Sequence, residues 1–248
     1  MRSATSMREL EVMPGLFISS ELCAFLPHHS TVVVSDLHIG YESVLEDSGL
    51  HLPRIQTAKM KEDLERIVEH HAPERFVILG DLKHEFSRNL AQEWNEVRRL
   101  LSVLQEKAEV VVVRGNHDNY LATIASKLGI EMVSEYHLAG VTFAHGHEPC
   151  DERPLVIGHE HPSVRLYDDV GGFVKVPCFV HLPKEQIVVM PAFSPLAPGT
   201  DLTGATSADA FSPVLRSSDM SDARSYACSD LGLLNLGPLS RLSRRRPR

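Results

Sequence analysis

The sequence predicts an α/β fold whose second half turns to strands. Three observations carry that prediction. Short, β-branched apolar runs alternate with longer helical periods through the first half. Each run stops abruptly at a polar cluster, most of them glycine-containing. After His161 the helical periods give way to hairpin signals.

Taken in order, residues 31–35, 76–79, 110–113, 141–144 and 155–157 are runs such as Val32-Val33-Val34. Continuous apolar runs of this length suit strands covered on both faces. Between them, Pro53 sits where a first helical turn tolerates proline. Met60, Leu64, Ile67 and Val68 then follow at helical spacing. Leu90, Trp94, Val97, Leu101 and Leu104 form a second stripe, and Leu121, Ile124 and Leu128 a third. All three stripes read as core-facing helix surface, so Trp94 receives no functional role. Residues 164–167 and 173–180 flank Asp168-Asp169-Val170-Gly171-Gly172, a hairpin signal. Residues 187–190 make another strand, 191–213 a long Pro/Gly/Ser-rich loop, and 226–228 a last short strand. No internal repeat is visible.

The length of 248 residues fits one domain, or at most two small ones. A composition 43% hydrophobic and 23% charged is that of a soluble globular protein with a substantial core. The formal charge is −8. Five arginines and no acid fall in the last eight residues, so the other 240 carry 20 basic and 33 acidic groups, or −13. An acidic body argues against a broad DNA-coating surface. It remains compatible with a phosphate-containing substrate met through metal cations. No apolar run approaches the ~20 residues that span a bilayer, and residues 1–11 lack a signal-peptide stretch. A cytoplasmic location is therefore expected, with Met7 as an alternative start. Cys23, Cys150, Cys178 and Cys228 are scattered without a CxxC and read as reduced, packed thiols.

The polar clusters carry the chemistry. They are Asp36-Leu37-His38, Gly80-Asp81, Gly115-Asn116-His117-Asp118, His145-Gly146-His147 and Gly158-His159-Glu160-His161. Each lies beyond the carboxyl end of a predicted strand, the edge where open α/β sheets bind ligands. Carboxylate, imidazole and amide donors without cysteine suit Mn, Fe, Zn or Co. One metal needs three or four protein ligands. The seven or more candidates here suffice for two metals roughly 3.5–4 Å apart, a clamp used on phosphates.

Five such clusters in this order resemble the calcineurin-like metallophosphoesterase superfamily, through motifs over roughly residues 30–165. Val34-Ser35-Asp36-Leu37-His38-Ile39-Gly40-Tyr41-Glu42 and Gly80-Asp81-Leu82-Lys83-His84-Glu85-Phe86 are most similar to the prokaryotic branch related to the SbcD nucleases. The resemblance implies an α/β (α+β) sandwich: two mixed β-sheets packed face to face and flanked by helices. The phosphoesterase domain would span 11–238, after an N-terminal extension at 1–10 and before a basic tail at 239–248.

The resemblance also implies roles. Asp36, His38 and His161 would hold one metal; Asn116, His145 and His159 the second; Asp81 would bridge them. His117 would contact the scissile phosphate or protonate the leaving oxygen, with Asp118 orienting it. Asn116 would also face the substrate. His84 matches a histidine that helps position substrate, although Lys83 stands where the related pattern has Phe. Arg114 reads either as a phosphate contact or, preferably, as half of a surface ion pair. His147 is either a further ligand or a partner of one, with His145 preferred as the ligand. Glu160 should point away from the metals. His28, His29, His51, His70, His71, His137 and His181 read as surface or satisfied structural histidines. The arginine-rich end reads as a solvated tail rather than a nucleic-acid arm.

The implied cofactors are two divalent ions, Mn²⁺ foremost, with Fe, Zn, Co and Mg as alternatives. The implied reaction is in-line attack on phosphorus by a hydroxide held between them. The substrate is a phosphate ester, expected to be a diester of nucleotide or nucleic-acid type. A phosphomonoesterase or nucleotide pyrophosphatase is the alternative. A non-catalytic scaffold is disfavoured because every ligand position is filled. No membrane partner is expected; protein partners are left open, a homodimer included.

Overall fold

The computed structural model describes residues 7–47, 49–50, 56–84, 91–168 and 170–242. Pro53, Leu90, His51, Asp169 and four of the five terminal arginines (Arg244, Arg245, Arg246 and Arg248) lie outside the described residues.

The first sheet takes its strands in chain order: β1 (Glu9–Met13), β2 (Leu16–Ser19), β3 (Ala24–Leu26), β4 (Thr31–Ser35), β5 (Arg75–Leu79), β6 (Glu109–Val113) and β7 (Glu131–Val133). It is antiparallel from β1 to β4 and parallel from β4 to β7. Four helices lie along this half: α1 (Tyr41–Asp47), α2 (Gln56–His71), α3 (Ala91–Gln105) and α4 (Leu121–Leu128). The second sheet contains β8 (Glu135–Leu138), β9 (Val141–Ala144), β10 (Leu155–Ile157), β11 (Pro162–Tyr167), β12 (Phe173–Leu182), β13 (Ile187–Val189), β14 (Thr200–Asp201), β15 (Arg224–Ser229) and β16 (Gly232–Pro238). Within it β9, β10 and β13 run parallel, and β11–β12 and β15–β16 are antiparallel pairs.

The strands are apolar throughout because both of their faces are covered. Side chains alternate across a strand. Val32 and Val34 join Phe76, Ile78, Val110 and Val112 against Met60, Leu64, Val97 and Leu101 of the helices. Val33, Val77, Leu79 and Val111 turn the other way and meet Phe143, Val156, Phe179 and Val188 of the second sheet. The far face of that sheet packs Ile157, Val164, Val180 and Val189 under Leu202, Leu215 and Leu239. This is the expected sandwich of two mixed sheets. The four cysteines are free and buried, as expected.

The folded body is wider than the expected boundaries. β1 begins at Glu9, inside the segment assigned to an extension. Leu239, assigned to the tail, is 1% exposed. The stretch 191–213 is mostly loop but contains β14, which pairs with β11, and a 3-10 turn at Ser207–Asp209. Among the described residues no helix is long and apolar enough to cross a membrane.

Candidate metal centre

Parallel pairing of β4, β5 and β6 aligns their carboxyl ends, so the loops after them leave from one edge. β9 and β10 do the same in the opposite sheet. The loops then hold one another. Asp36 N–H donates to the Gly80 carbonyl at 3.3 Å and His38 N–H to the Asp81 carbonyl at 2.9 Å. Gly158 N–H donates to the His145 carbonyl at 3.0 Å, and His117 N–H to Asp81 Oδ1 at 2.8 Å. Gly115 is required here because a Cβ would strike the Asp81 side chain and backbone.

The donors fall into two adjoining groups. Asp36, His38 and His161 bring ligand atoms within 4.8 Å of one another, and so do Asp81, His145 and His159. In the first group His38 Nε2 faces His161 Nε2 at 3.2 Å, and Asp36 Oδ1 lies 3.1 Å from His161 Nε2. In the second, His145 Nε2 lies 3.3 Å from Asp81 Oδ2 and 3.2 Å from Asn116 Oδ1. Asp81 Oδ2 also stands 4.0 Å from His38 Nε2, which puts this carboxylate at the seam between the groups.

This arrangement fits divalent ions. Asp36 Oδ1 is fully buried without a hydrogen-bond partner. Two imidazole nitrogens facing each other at 3.2 Å are spaced like neighbouring ligands, since bonds of about 2.1 Å put donors about 3.0–3.4 Å apart. Burial pushes His38 down to about 3, more than Asp36 raises it. Burial and His145 push His159 down to about 4. Both rings are therefore neutral and keep a lone pair. Burial would raise the Asp36 carboxyl, but His161, His145 and His38 hold it well below the usual range. For His145, burial is outweighed by Asp81 and Asp36, which raise it to about 9.

Other expected residues sit around this core. His117 Nδ1 is 2.6 Å from the His84 carbonyl oxygen. His84 stacks on Tyr41 at 3.8 Å, and its Nδ1 lies 3.3 Å from His38 Nδ1. Asp118 corrects the expectation that it orients His117. Its Oδ1 accepts from Leu82 N–H at 3.0 Å and its Oδ2 from Gly115 N–H at 2.8 Å. It thus ties the Asp81 loop to the Asn116 loop; burial and Asp81 push it up to about 6. His147 is half-buried, its ring 5.1 Å from that of His145, outside both donor groups. Arg114 is exposed and lines a cleft of about 360 Å³ with Tyr120 and Met132.

Glu160 points away as expected, accepting from Phe211 and Ser212 N–H at 2.9 Å each. Several residues carried no sequence signal. Ser35 Oγ lies 2.5 Å from Asp36 Oδ2. Buried Gln56, opening α2, donates through Nε2 to the His38 carbonyl at 3.2 Å and to Ser194 Oγ at 2.7 Å. Beside His159 and His161 opens a cleft of about 730 Å³ lined also by Phe211 and Arg216.

The family model described as calcineurin-like phosphoesterase matches residues 29–214. No curated protein matches the chain. Among solved structures, the nuclease MPE of Pseudomonas putida is similar with a TM-score of 0.69 at 24% identity, covering 91% of this chain and 98% of that one. YfcE, a phosphoesterase from E. coli, gives 0.40 at 17% identity, covering 86% and 94%.

Proposed function

The chain belongs to the calcineurin-like phosphoesterase family and is a phosphoric ester hydrolase, and from that premise we propose that it is a two-metal phosphodiesterase acting on a nucleotide or nucleic acid. The observation that carries this reading is the position of Asp81, whose Oδ2 is 3.3 Å from His145 Nε2 and 4.0 Å from His38 Nε2. One carboxylate bordering two complete donor groups suits a pair of ions better than one.

Asp36, His38 and His161 would hold the first ion, Asn116, His145 and His159 the second, with Asp81 shared and Mn²⁺ the favoured metal. When bound, the ions would activate water and neutralise charge building on the phosphoryl oxygens. The chain's own residues orient the rest. The carbonyl of His84 only accepts, so the Nδ1 beside it carries the proton. Nε2 is therefore the His117 nitrogen through which the ring would donate to the leaving oxygen. With the His38 Nε2 lone pair on the first ion, His38 Nδ1–H would donate to His84 Nδ1, 3.3 Å away, and the ring is held in that orientation. The stacking of His84 on Tyr41 fixes both rings. In this reading His84 positions a ligand and His117 rather than the substrate.

The nucleotide class is supported by the cleft beside His159 and His161. Phe211 there is 65% exposed and is suited to stacking on a base. Arg216 beside it suits a phosphate. The Pseudomonas putida protein of the same fold is a nuclease, which agrees with a diester substrate without carrying the argument. The test is turnover with Mn²⁺ of bis-p-nitrophenyl phosphate, p-nitrophenyl phosphate, nucleotides, cyclic nucleotides, DNA and RNA. A diester preference is expected, with Phe211→Ala raising KM only for base-containing substrates. Monoester preference would overturn the diester reading in favour of a phosphomonoesterase. Full turnover by Asp81→Asn would overturn the shared carboxylate.

A further inference from the structure

A second cluster of metal-ligating side chains stands apart from this site. Glu9 on β1 and His70 and His71 at the end of α2 bring donor atoms within 4.8 Å of one another. Gln56, at the other end of α2, touches the loop of His38. The helix has 16 residues, so its ends are about 22 Å apart at about 1.5 Å per residue.

The two rings are prepared as donors. His70 Nδ1 lies 3.0 Å from Glu21 Oε2. A carboxylate accepts, so that nitrogen donates a proton to Glu21, and Nε2 is the nitrogen that faces the other donors. His70 Nε2 faces Glu9 Oε1 at 3.7 Å, and His71 Nε2 stands 4.0 Å from the same oxygen. The His71 side chain is only 8% exposed. Its ring lies 4.4 Å from Phe25, and its Nε2 also lies 3.9 Å from Cys23 Sγ and 3.8 Å from Glu21 Oε2. Arg66 Nε lies 3.5 Å from the other oxygen of Glu21 and steadies it.

We infer that Glu9, His70 and His71 form a zinc site, with Glu21 fixing the His70 ring. Imidazole with one carboxylate is a borderline donor set that suits Zn²⁺ over Mg²⁺ or Ca²⁺. Tetrahedral zinc ligands with bonds of about 2.0–2.1 Å lie about 3.4 Å apart. The observed spacings of 3.7 and 4.0 Å close to that by a small rotation of Glu9. A carboxylate behind a metal-binding histidine is the usual second contact of such a ring. A zinc ion here would tie the outermost strand of the first sheet to the end of α2. The same groups without an ion would be an ion-pair cluster, and the two cases differ in metal content.

The experiment uses the full chain as wild type, Glu9→Gln and His70→Asn. Each is dialysed against buffered Zn²⁺, and zinc per folded chain is measured by mass spectrometry. Each variant is expected to hold one ion fewer than wild type, and the rise in Tm with Zn²⁺ is expected to shrink. Turnover of bis-p-nitrophenyl phosphate with Mn²⁺ is expected to stay within twofold of wild type. Equal zinc counts in all three proteins overturn the proposal. The readout is a difference between proteins, so it holds whatever the catalytic site contains. Glu9→Gln alters one partly exposed carboxylate, which keeps the comparison available if the histidine variant fails to fold.

Discussion

Replacing Asp118 by asparagine separates two roles for this carboxylate. It is 1% exposed, and its oxygens accept from Leu82 N–H at 3.0 Å and Gly115 N–H at 2.8 Å. Those N–H groups belong to the loops that carry Asp81 and Asn116. An amide offers one acceptor oxygen, so one buried N–H would lose its partner and face an NH₂ group. An orphaned buried donor costs about 1–3 kcal/mol. The lost repulsion between Asp118 and Asp81 offsets part of this, because Asp81 helps push Asp118 up to about 6. A net loss of about 2 kcal/mol corresponds to a Tm lower by about 4–8 °C in a chain of this size. The assay is thermal melting of Mn²⁺-loaded protein beside kcat at saturating Mn²⁺. The clamp predicts a lower Tm and weaker Mn²⁺ binding, because the two loops separate. An unchanged Tm, within about 1 °C, together with a tenfold or greater loss of kcat would refute it. That result would return Asp118 to orienting His117.

Three further outcomes are expected. His117→Ala keeps its metals and loses about 10²–10⁴ in kcat; metal content by mass spectrometry beside kinetics checks it, and loss of metal would make His117 a ligand. His84→Ala retains the backbone carbonyl that holds His117, so kcat at saturating Mn²⁺ stays near wild type while Mn²⁺ affinity falls about 10–100-fold. A raised KM at saturating Mn²⁺ would instead put the His84 ring on the substrate. Gly158→Ala drives a Cβ into Ser35 Oγ and to 2.5 Å from Asp36 Oδ2, so bound metal and turnover are both lost, and wild-type metal content would contradict that packing.

The strands that build the site were legible because burial on both faces leaves no polar alternation to confuse the reading. Val32, Val33 and Val34 are all apolar, yet they serve two different cores. The clusters were legible because the donors follow each strand directly. β1, β2 and β3 are less legible because they are only five, four and three residues long, and in β1 Glu9 and Glu11 interrupt the apolar run. β16 was missed with Gly232 and Gly237 diluting its pattern. Gln56 and Ser194, 138 residues apart, share a hydrogen bond that no local pattern encodes. Asp118 was misjudged for a related reason. Adjacency to His117 in sequence does not say which way a side chain turns. Glu160 turns away from the metals as expected, but not because the segment is extended: His159 and His161 have φ of 64° and 47°.

That last correction points to how the site is organised. Among the described residues, Asp36, His38, Asp81, His159 and His161 all adopt left-handed backbone, at φ of 57°, 47°, 46°, 64° and 47°. Each such residue costs on the order of 1–2 kcal/mol, which aspartate and histidine tolerate better than most. The reason is geometric. A chain leaving the carboxyl end of a buried strand must reverse at once for its side chain to face the crevice between the sheets. What holds these residues is the neighbouring loop. His38 N–H donates to the Asp81 carbonyl at 2.9 Å, and His159 N–H to Asp36 Oδ2 at 3.0 Å. His38 and His159 are thus each fixed by a bond to a different loop of the same site. The donor positions follow from the closure of five loops on one another, so the site is organised by the fold itself, and single changes in one loop propagate to the donors of the next.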